Sequence, residues 1–164
     1  MTAHRCLAAA LLGVLLLLPL RASAQVAVVA AKDQQALLAS ADAKLAANKK
    51  LVYDFWRSVL EGGHLEQADR YLAESYIQHN PMVPTGRAGF VTFFSAFAKP
   101  RPIEERVRAP LVAITAERDL VVLAFVQELP DPKDPAQHYT TTAFDMFRIE
   151  DGRIAEHWDS ETRR

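Results

Sequence analysis

The spacing of the apolar residues changes near Pro102, and this change limits the possible folds more than any other feature. Before it, apolar side chains recur three and four positions apart, as on one face of an α-helix: Leu51, Val52, Phe55, Trp56, Val59 and Leu60. After it, residues 120–129 and 138–149 form apolar or β-branched runs of strand length. Helices followed by strands predict an α+β domain, because a parallel α/β sheet would need the two to alternate.

Three helices are predicted in the first part of this domain. They cover 51–60, about 65–73 and about 87–98. The segment between the second and third helices is predicted as loop, because it is short and contains Pro81 and Pro84. The third helix ends before Pro100, since proline cannot continue a helix.

The strands are predicted in the second part. Residues 104–116 are interrupted by Pro110, which favours an edge strand or a bulge. Residues 120–129 are predicted as a central strand, and 138–149 as a long strand beside it. Asp151–Gly152 is typical of a tight hairpin turn, so 153–159 is predicted as the returning strand.

The N-terminus is predicted to be an export signal that occupies residues 1–24. Arg5 precedes an apolar run, Leu7 to Leu20, and Ala22-Ser23-Ala24 fits the small-residue cleavage rule. The run is shorter than the roughly 20 residues that span a bilayer, so no stable membrane insertion is expected after the signal is removed. The sequence predicts a periplasmic or secreted protein, with 25–43 as a linker and the start of a helix, and 44–164 as one domain.

Charge and motifs exclude several classes of function. The net charge is −1 and no basic run occurs, which argues against a nucleic-acid binder. The single cysteine, Cys6, lies in the predicted signal, so the mature chain would have no thiol for catalysis, disulfides or zinc. Glycine-rich nucleotide motifs are also absent from the sequence, so a mechanism that depends on them has no support.

Polar residues that interrupt the strand pattern are the candidate functional groups. Asp145 shares a predicted strand face with Phe147, and His157 shares one with Asp159, because alternate residues point to the same face. The hairpin would bring Asp145 near His157 and Asp159. His79, in the predicted loop, is a fourth candidate for the same cavity. Each of these residues also has a purely structural interpretation, such as a buried hydrogen bond or turn chemistry.

A substrate pocket between the helices and the sheet is predicted to be aromatic. Its expected lining is Tyr53, Trp56, Phe90, Phe94, Phe147 and Trp158. Such side chains would bind a small hydrophobic molecule and exclude water. The phenylalanines of 87–98 recur at helical spacing, which is also typical of a core.

Three segments of the sequence resemble the SnoaL-like polyketide cyclase family of the nuclear transport factor 2-like superfamily. They are YIQHNP at 76–81, GRAGF at 86–90 and DMFRIEDGRIAEHWD at 145–159, and the resemblance covers about 44–160. It implies a cone-shaped α+β barrel in which three N-terminal helices pack on a strongly curved antiparallel sheet. It also implies a homodimer formed through the sheet, with neither a metal nor a cofactor.

The resemblance also implies roles for the polar residues. An aspartate near the end of the last strand, which is Asp159 here, would act as acid and base in an intramolecular aldol closure. His79, Asp145 and His157 match polar positions of the family's pocket.

Three functions remain open from the sequence. In the first, Asp159 removes a proton next to a carbonyl group, and His79 or His157 donates to the enolate oxygen. In the second, the protein binds a small molecule without converting it. In the third, His79, His157 and Asp159 form a site with two histidines and one carboxylate for a metal.

Overall fold

The computed structural model describes residues 25–163. The predicted export signal, residues 1–24, lies outside the described residues. The helices are α1 (Gln34–Leu38), α2 (Ala43–Phe55), α3 (Ala68–Tyr71) and α4 (Arg87–Ser95). A π-helical segment (Trp56–Glu61) extends α2, and a 3-10 turn (Leu65–Gln67) precedes α3. The strands are β1 (Leu72–Gln78), β2 (Leu111–Glu117), β3 (Leu120–Pro130), β4 (His138–Glu150) and β5 (Arg153–Trp158).

One five-stranded sheet, in the order β1-β5-β4-β3-β2, forms the second layer of the domain. The predicted α+β class is confirmed. The sheet is mixed rather than purely antiparallel, because β1 pairs in parallel with β5. Strand β1 lies where the sequence predicts the end of the second helix and the loop after it. Its partner lies far along the chain, so neither a hairpin turn nor a long apolar run marks it in the sequence.

Helix α2 starts earlier and ends in a wider turn than the sequence predicts. The Asp42 carboxylate accepts hydrogen bonds from the backbone N–H groups of Lys44 (2.7 Å) and Leu45 (3.1 Å), so it caps the helix. The π-helical turn begins at Trp56 and ends before Gly62. Such wide turns are frequent at functional sites, and this one carries side chains toward the space between helices and sheet.

The core lies between α2, α4 and the inner face of the sheet. Its largest fully buried side chains include Tyr53, Phe55, Tyr76, Phe90 and Phe147. Val52 and Val59 are completely buried on the same helical surface, as the apolar stripe predicts. None of the helices within residues 25–163 is long and apolar enough to cross a membrane.

A bulge in the β4–β5 hairpin changes which residues face the core. The register shifts between Arg148 and Ile149, so Ile149 pairs with Ile154 while Phe147 pairs with His157. Strict alternation places Ile154 and His157 on opposite faces, yet both are buried, because a bulge adds one residue to a strand. The predicted turn is confirmed: Asp151 and Gly152 both have positive φ, 48° and 70°, as a tight hairpin requires.

Replacing Gly63 by alanine should destabilise the protein strongly. A Cβ at Gly63 would lie 2.6 Å from the Lys99 carbonyl oxygen, and the residue has φ of +73°. We expect Gly63→Ala to lower the free energy of unfolding by about 3 kcal/mol or more. Gly152→Ala is the matched control, because φ is +70° there but nothing lies within 4 Å. It should cost only about 1–2 kcal/mol in urea unfolding; equal losses in the two variants would contradict the close contact.

Candidate functional site

A cavity of about 430 Å³ lies between the helices and the inner face of the sheet. Its volume is in the range typical of small-molecule sites, about 300–1,000 Å³. Four of the predicted pocket residues line it: Trp56, Phe90, Phe94 and Phe147. Phe55, which the sequence analysis assigns only to the helical stripe, completes the aromatic wall. The ring centroids of Phe55 and Phe90 are 5.8 Å apart, so the wall is continuous with the core.

Two predicted pocket residues do not line this cavity. Tyr53 is buried in the core, where its hydroxyl donates to Gln34 Oε1 over 2.9 Å. Trp158 packs under His79, with the two rings parallel and 4.9 Å apart. Both predictions rest on aromatic character alone, which does not distinguish a core or surface ring from one that lines a cavity.

His79 is also absent from the cavity lining. Its Nε2 pairs with Glu156 Oε1 over 2.7 Å, and Glu156 in turn accepts from Arg148 Nε over 2.9 Å. The hydrogen bonds from His79 and Arg148 hold the pKa of Glu156 below its usual range. His79 follows β1, where its backbone N–H donates to the His157 carbonyl. Alternation along this extended segment turns its side chain away from that of Gln78, which lines the cavity.

Asp145 and His157 meet at the polar end of the cavity, as predicted, and the bulge between Arg148 and Ile149 places them on the same face. His157 Nε2 lies 3.0 Å from Asp145 Oδ1, and His157 Nδ1 lies 2.9 Å from Gln78 Oε1. The imidazole also stacks on Phe147, with centroids 4.6 Å apart. The pair therefore lies between β4, β5 and β1, and all three strands fix its position.

The hydrogen bonds determine where the protons lie. Gln78 Oε1 also accepts from the Asn80 backbone N–H, and Gln78 Nε2 donates to the Tyr76 hydroxyl, which fixes the amide orientation. Because Oε1 can only accept, His157 Nδ1 carries a proton. His157 Nε2 lies against Asp145 Oδ1, so both ring nitrogens of His157 have a polar partner.

Asp159 is held beside this pair by a separate set of donors. Its Oδ2 accepts from Asn80 Nδ2 over 2.7 Å, and its Oδ1 accepts from the Glu161 backbone N–H over 2.9 Å. Asn80 Oδ1 accepts from the Met82 N–H, so the amide nitrogen must face Asp159. Both carboxylate oxygens accept hydrogen bonds, which is the pattern of an ionised and oriented carboxylate.

Tyr76 lines the cavity on the same side. Burial raises the pKa of its hydroxyl far above the usual value, and the nearby Asp159 and Asp145 carboxylates raise it further. The side chain therefore remains a neutral phenol. Its oxygen accepts from Gln78 Nε2 over 3.0 Å, so its own O–H remains to donate to another group.

Glu61 and Arg101 also line the cavity; Glu61 ends the π-helical segment and contacts residues just before β2, the strand at the far edge of the sheet from β1 and β5, and we call this the helical end. The Glu61 carboxylate accepts from the backbone N–H groups of Arg108 (2.7 Å) and Ala109 (2.8 Å). The Arg101 Nε donates to the Glu61 carbonyl oxygen. The Glu61 carboxylate thus holds the segment that precedes β2, and Arg101 lines the cavity.

Tyr76, Gln78 and Asn80 are site residues that the sequence analysis misses. They lie two positions apart on β1 and its continuation, so an assignment of 72–78 as a strand would have placed all three on one face. The prediction of a loop there conceals this pattern.

One group in the cavity has the ligand atoms that a metal requires. Asp145, His157 and Asp159 each offer a nitrogen or oxygen, and these atoms lie within 4.8 Å of one another. The two-histidine set considered from the sequence is not assembled, because His79 pairs with Glu156 instead. The group has one imidazole and two carboxylates, and their polar atoms also contact Gln78 and Asn80.

The fold and this site define a SnoaL-like protein. The SnoaL-like domain family matches residues 52–157, and the chain belongs to this family. No curated protein matches the sequence significantly.

Similar solved structures come from several bacteria. A protein from Jannaschia sp. CCS1, described as a candidate SnoaL-like polyketide cyclase, is 14% identical with a TM-score of 0.50, over 74% of this chain and 91% of its own. A candidate polyketide cyclase from Acidithiobacillus ferrooxidans is 19% identical with a TM-score of 0.49, over 74% and 89%. TsrD from Streptomyces laurentii is 24% identical with a TM-score of 0.47, over 74% and 90%. At 14% identity, the likeness to the Jannaschia protein concerns the fold alone.

Proposed function

We propose that this protein catalyses proton transfer next to a carbonyl group of a small hydrophobic molecule, in an isomerase or aldol-cyclase type of reaction. The observation that carries the proposal is the oriented Asp159 carboxylate, which borders an aromatic cavity together with the neutral phenol of Tyr76. A carboxylate base and a neutral hydrogen-bond donor are the two groups that enolate formation needs.

In the first step Asp159 takes the α-proton, and the electrons of the C–H bond form the enolate double bond. The carbonyl oxygen gains negative charge, and the Tyr76 O–H donates a hydrogen bond to it. This assignment replaces the sequence-based proposal of His79 or His157 as the donor, because His79 pairs with Glu156 and both ring nitrogens of His157 are engaged. The proton on Asp159 then returns to carbon in an isomerisation, or to the acceptor carbonyl oxygen when a new C–C bond closes a ring.

The Asp145–His157 pair supports the base without taking its proton. Its two side chains contact each other, and the Asp159 carboxylate beside them is held instead by Asn80 and the Glu161 backbone N–H. Its Nδ1–H holds the Gln78 amide, and that amide orients both Tyr76 and the Asn80 backbone. The pair thus positions the donor and the base through a single glutamine.

Exchange of the α-hydrogens of 1-indanone in D₂O, followed by proton NMR, tests the proposal. This ketone has a flat apolar body and exchanges slowly without a catalyst. The wild-type protein should accelerate exchange, and Tyr76→Phe should slow it by about 10²-fold, because removal of one oxyanion donor has this effect. Thermal unfolding checks that the variant is folded. A wild-type rate equal to that of protein-free buffer, or full activity in folded Tyr76→Phe, would contradict the proposal.

We also propose that residues 1–24 direct export and are then removed. The support is the order of Arg5, the apolar run and Ala22-Ser23-Ala24 in the sequence. N-terminal sequencing of the protein from its own cells should begin at Gln25. A mature chain that still begins with Met1 would overturn this proposal.

A further inference from the structure

We propose that the ligand of this cavity is a hydrophobic carboxylic acid whose carboxylate is bound by Arg101. The inference deepens the proposed function and rests on it, since it names the class of molecule that the same cavity takes. The carboxylate would lie at the helical end, and the reacting carbonyl at the Asp159 end.

Arg101 is fixed in place although its side chain is exposed. Its backbone N–H donates to the Gly62 carbonyl over 2.9 Å, and its Nε donates to the Glu61 carbonyl. Its own carbonyl oxygen receives His64 Nε2 at 2.8 Å. Three anchors on one residue place the guanidinium at the cavity and reduce the entropy that binding would otherwise cost.

His64 provides the third of these anchors. The Arg101 carbonyl and the Glu66 carboxylate, 2.9 Å from His64 Nδ1, both favour the imidazolium and hold the pKa of His64 above its usual value. His64 holds the backbone of Arg101, and the guanidinium takes no part in this contact.

The terminal nitrogens of Arg101 remain available. Within residues 25–163 neither of them has a hydrogen-bond acceptor, since only Nε makes a bond. Glu61 also lines the cavity. Both of its carboxylate oxygens accept hydrogen bonds from backbone N–H groups. The guanidinium thus presents two parallel donors without an internal counter-ion, and this geometry suits a carboxylate.

The charges of the cavity agree with an anionic ligand group at this end. The other lining carboxylates are Asp145 on β4 and Asp159 directly after β5, and they already have polar partners in His157, Asn80 and the Glu161 backbone N–H. Among the lining residues, Arg101 is the one arginine or lysine. Aromatic walls with a single arginine at one end favour a molecule with an apolar body and one acidic group.

Isothermal titration calorimetry with naphthalene-2-carboxylate and naphthalene-2-carboxamide tests this inference. The two probes have nearly the same shape and differ in charge. The wild-type protein should bind the carboxylate about tenfold more tightly, which is the typical gain from one charge-assisted hydrogen bond. Arg101→Gln should abolish the preference, and Arg101→Lys should retain part of it because the charge remains.

Arg153→Gln is the matched control. Arg153 is also an exposed arginine whose Nε donates to a backbone carbonyl, that of Asp69, but it does not line this cavity. It should keep the tenfold preference. Equal binding of both probes by the wild type, or an unchanged preference in folded Arg101→Gln, would overturn the inference and leave the proposed proton transfer intact. Binding of neither probe would overturn the inference, and a positive exchange result with 1-indanone would then show that the catalytic proposal survives without it.

Discussion

Asp159→Asn should lower the rate of α-hydrogen exchange in 1-indanone by about 10²–10⁴-fold, the usual contribution of a general base. The amide cannot accept the α-proton, yet its oxygen can still receive one of the two hydrogen bonds that hold the carboxylate. The effect should therefore fall on turnover, and the fold should remain. Proton NMR of the exchange reaction measures the first, and thermal unfolding the second.

Asp131→Asn is the control for this substitution. The Asp131 carboxylate also accepts from the backbone N–H two residues later, that of Lys133 over 2.7 Å, but it lies in the loop after β3 and does not line the cavity. Its exchange rate should equal that of the wild type. Full activity in folded Asp159→Asn would remove Asp159 from the mechanism.

Phe147→Ala should lower the free energy of unfolding by about 3–5 kcal/mol. The ring is 1% exposed and packs against Phe55, Trp56 and His157. Its loss would remove contacts with both helical and strand residues, and it would enlarge a cavity that the fold already contains. Urea unfolding followed by circular dichroism measures the change.

Phe144 provides the comparison on the same strand. It is 55% exposed, so Phe144→Ala should change the free energy of unfolding by no more than about 0.5 kcal/mol. Similar losses in the two variants would mean that Phe147 is not a core residue, and the placement of β4 would then be wrong.

The hairpin part of the site could be predicted from the sequence because its signals are local. Alternation along 138–149 and the turn at Asp151–Gly152 predict the pairing of the two strands that carry Asp145 and His157. The bulge between Arg148 and Ile149, which the sequence does not mark, then places both side chains on one face, with His157 Nε2 3.0 Å from Asp145 Oδ1. The turn residues also fix the pairing of the two strands, since both have positive φ.

The β1 part of the site could not be predicted, because it depends on a pairing between distant segments. Parallel pairing of β1 with β5 places Gln78 opposite His157, and no turn or apolar run marks it in the sequence. The bulge that brings Ile154 to the core also breaks the alternation on which the prediction of faces depends. The sequence predicts His79 in the cavity, whereas its neighbour Gln78 lines it.

The stereochemistry of the exchange tests the central claim most directly. 1-Indanone has two mirror-related hydrogens at its α-carbon, and a base fixed on one side of a cavity can remove only one of them. Deuterium NMR in a chiral liquid-crystal solvent distinguishes the two monodeuterated products. A single product with the wild-type protein, lost in Asp159→Asn, is the expected result. Equal amounts of both products, or the same product ratio in Asp159→Asn, would contradict proton removal by a fixed Asp159.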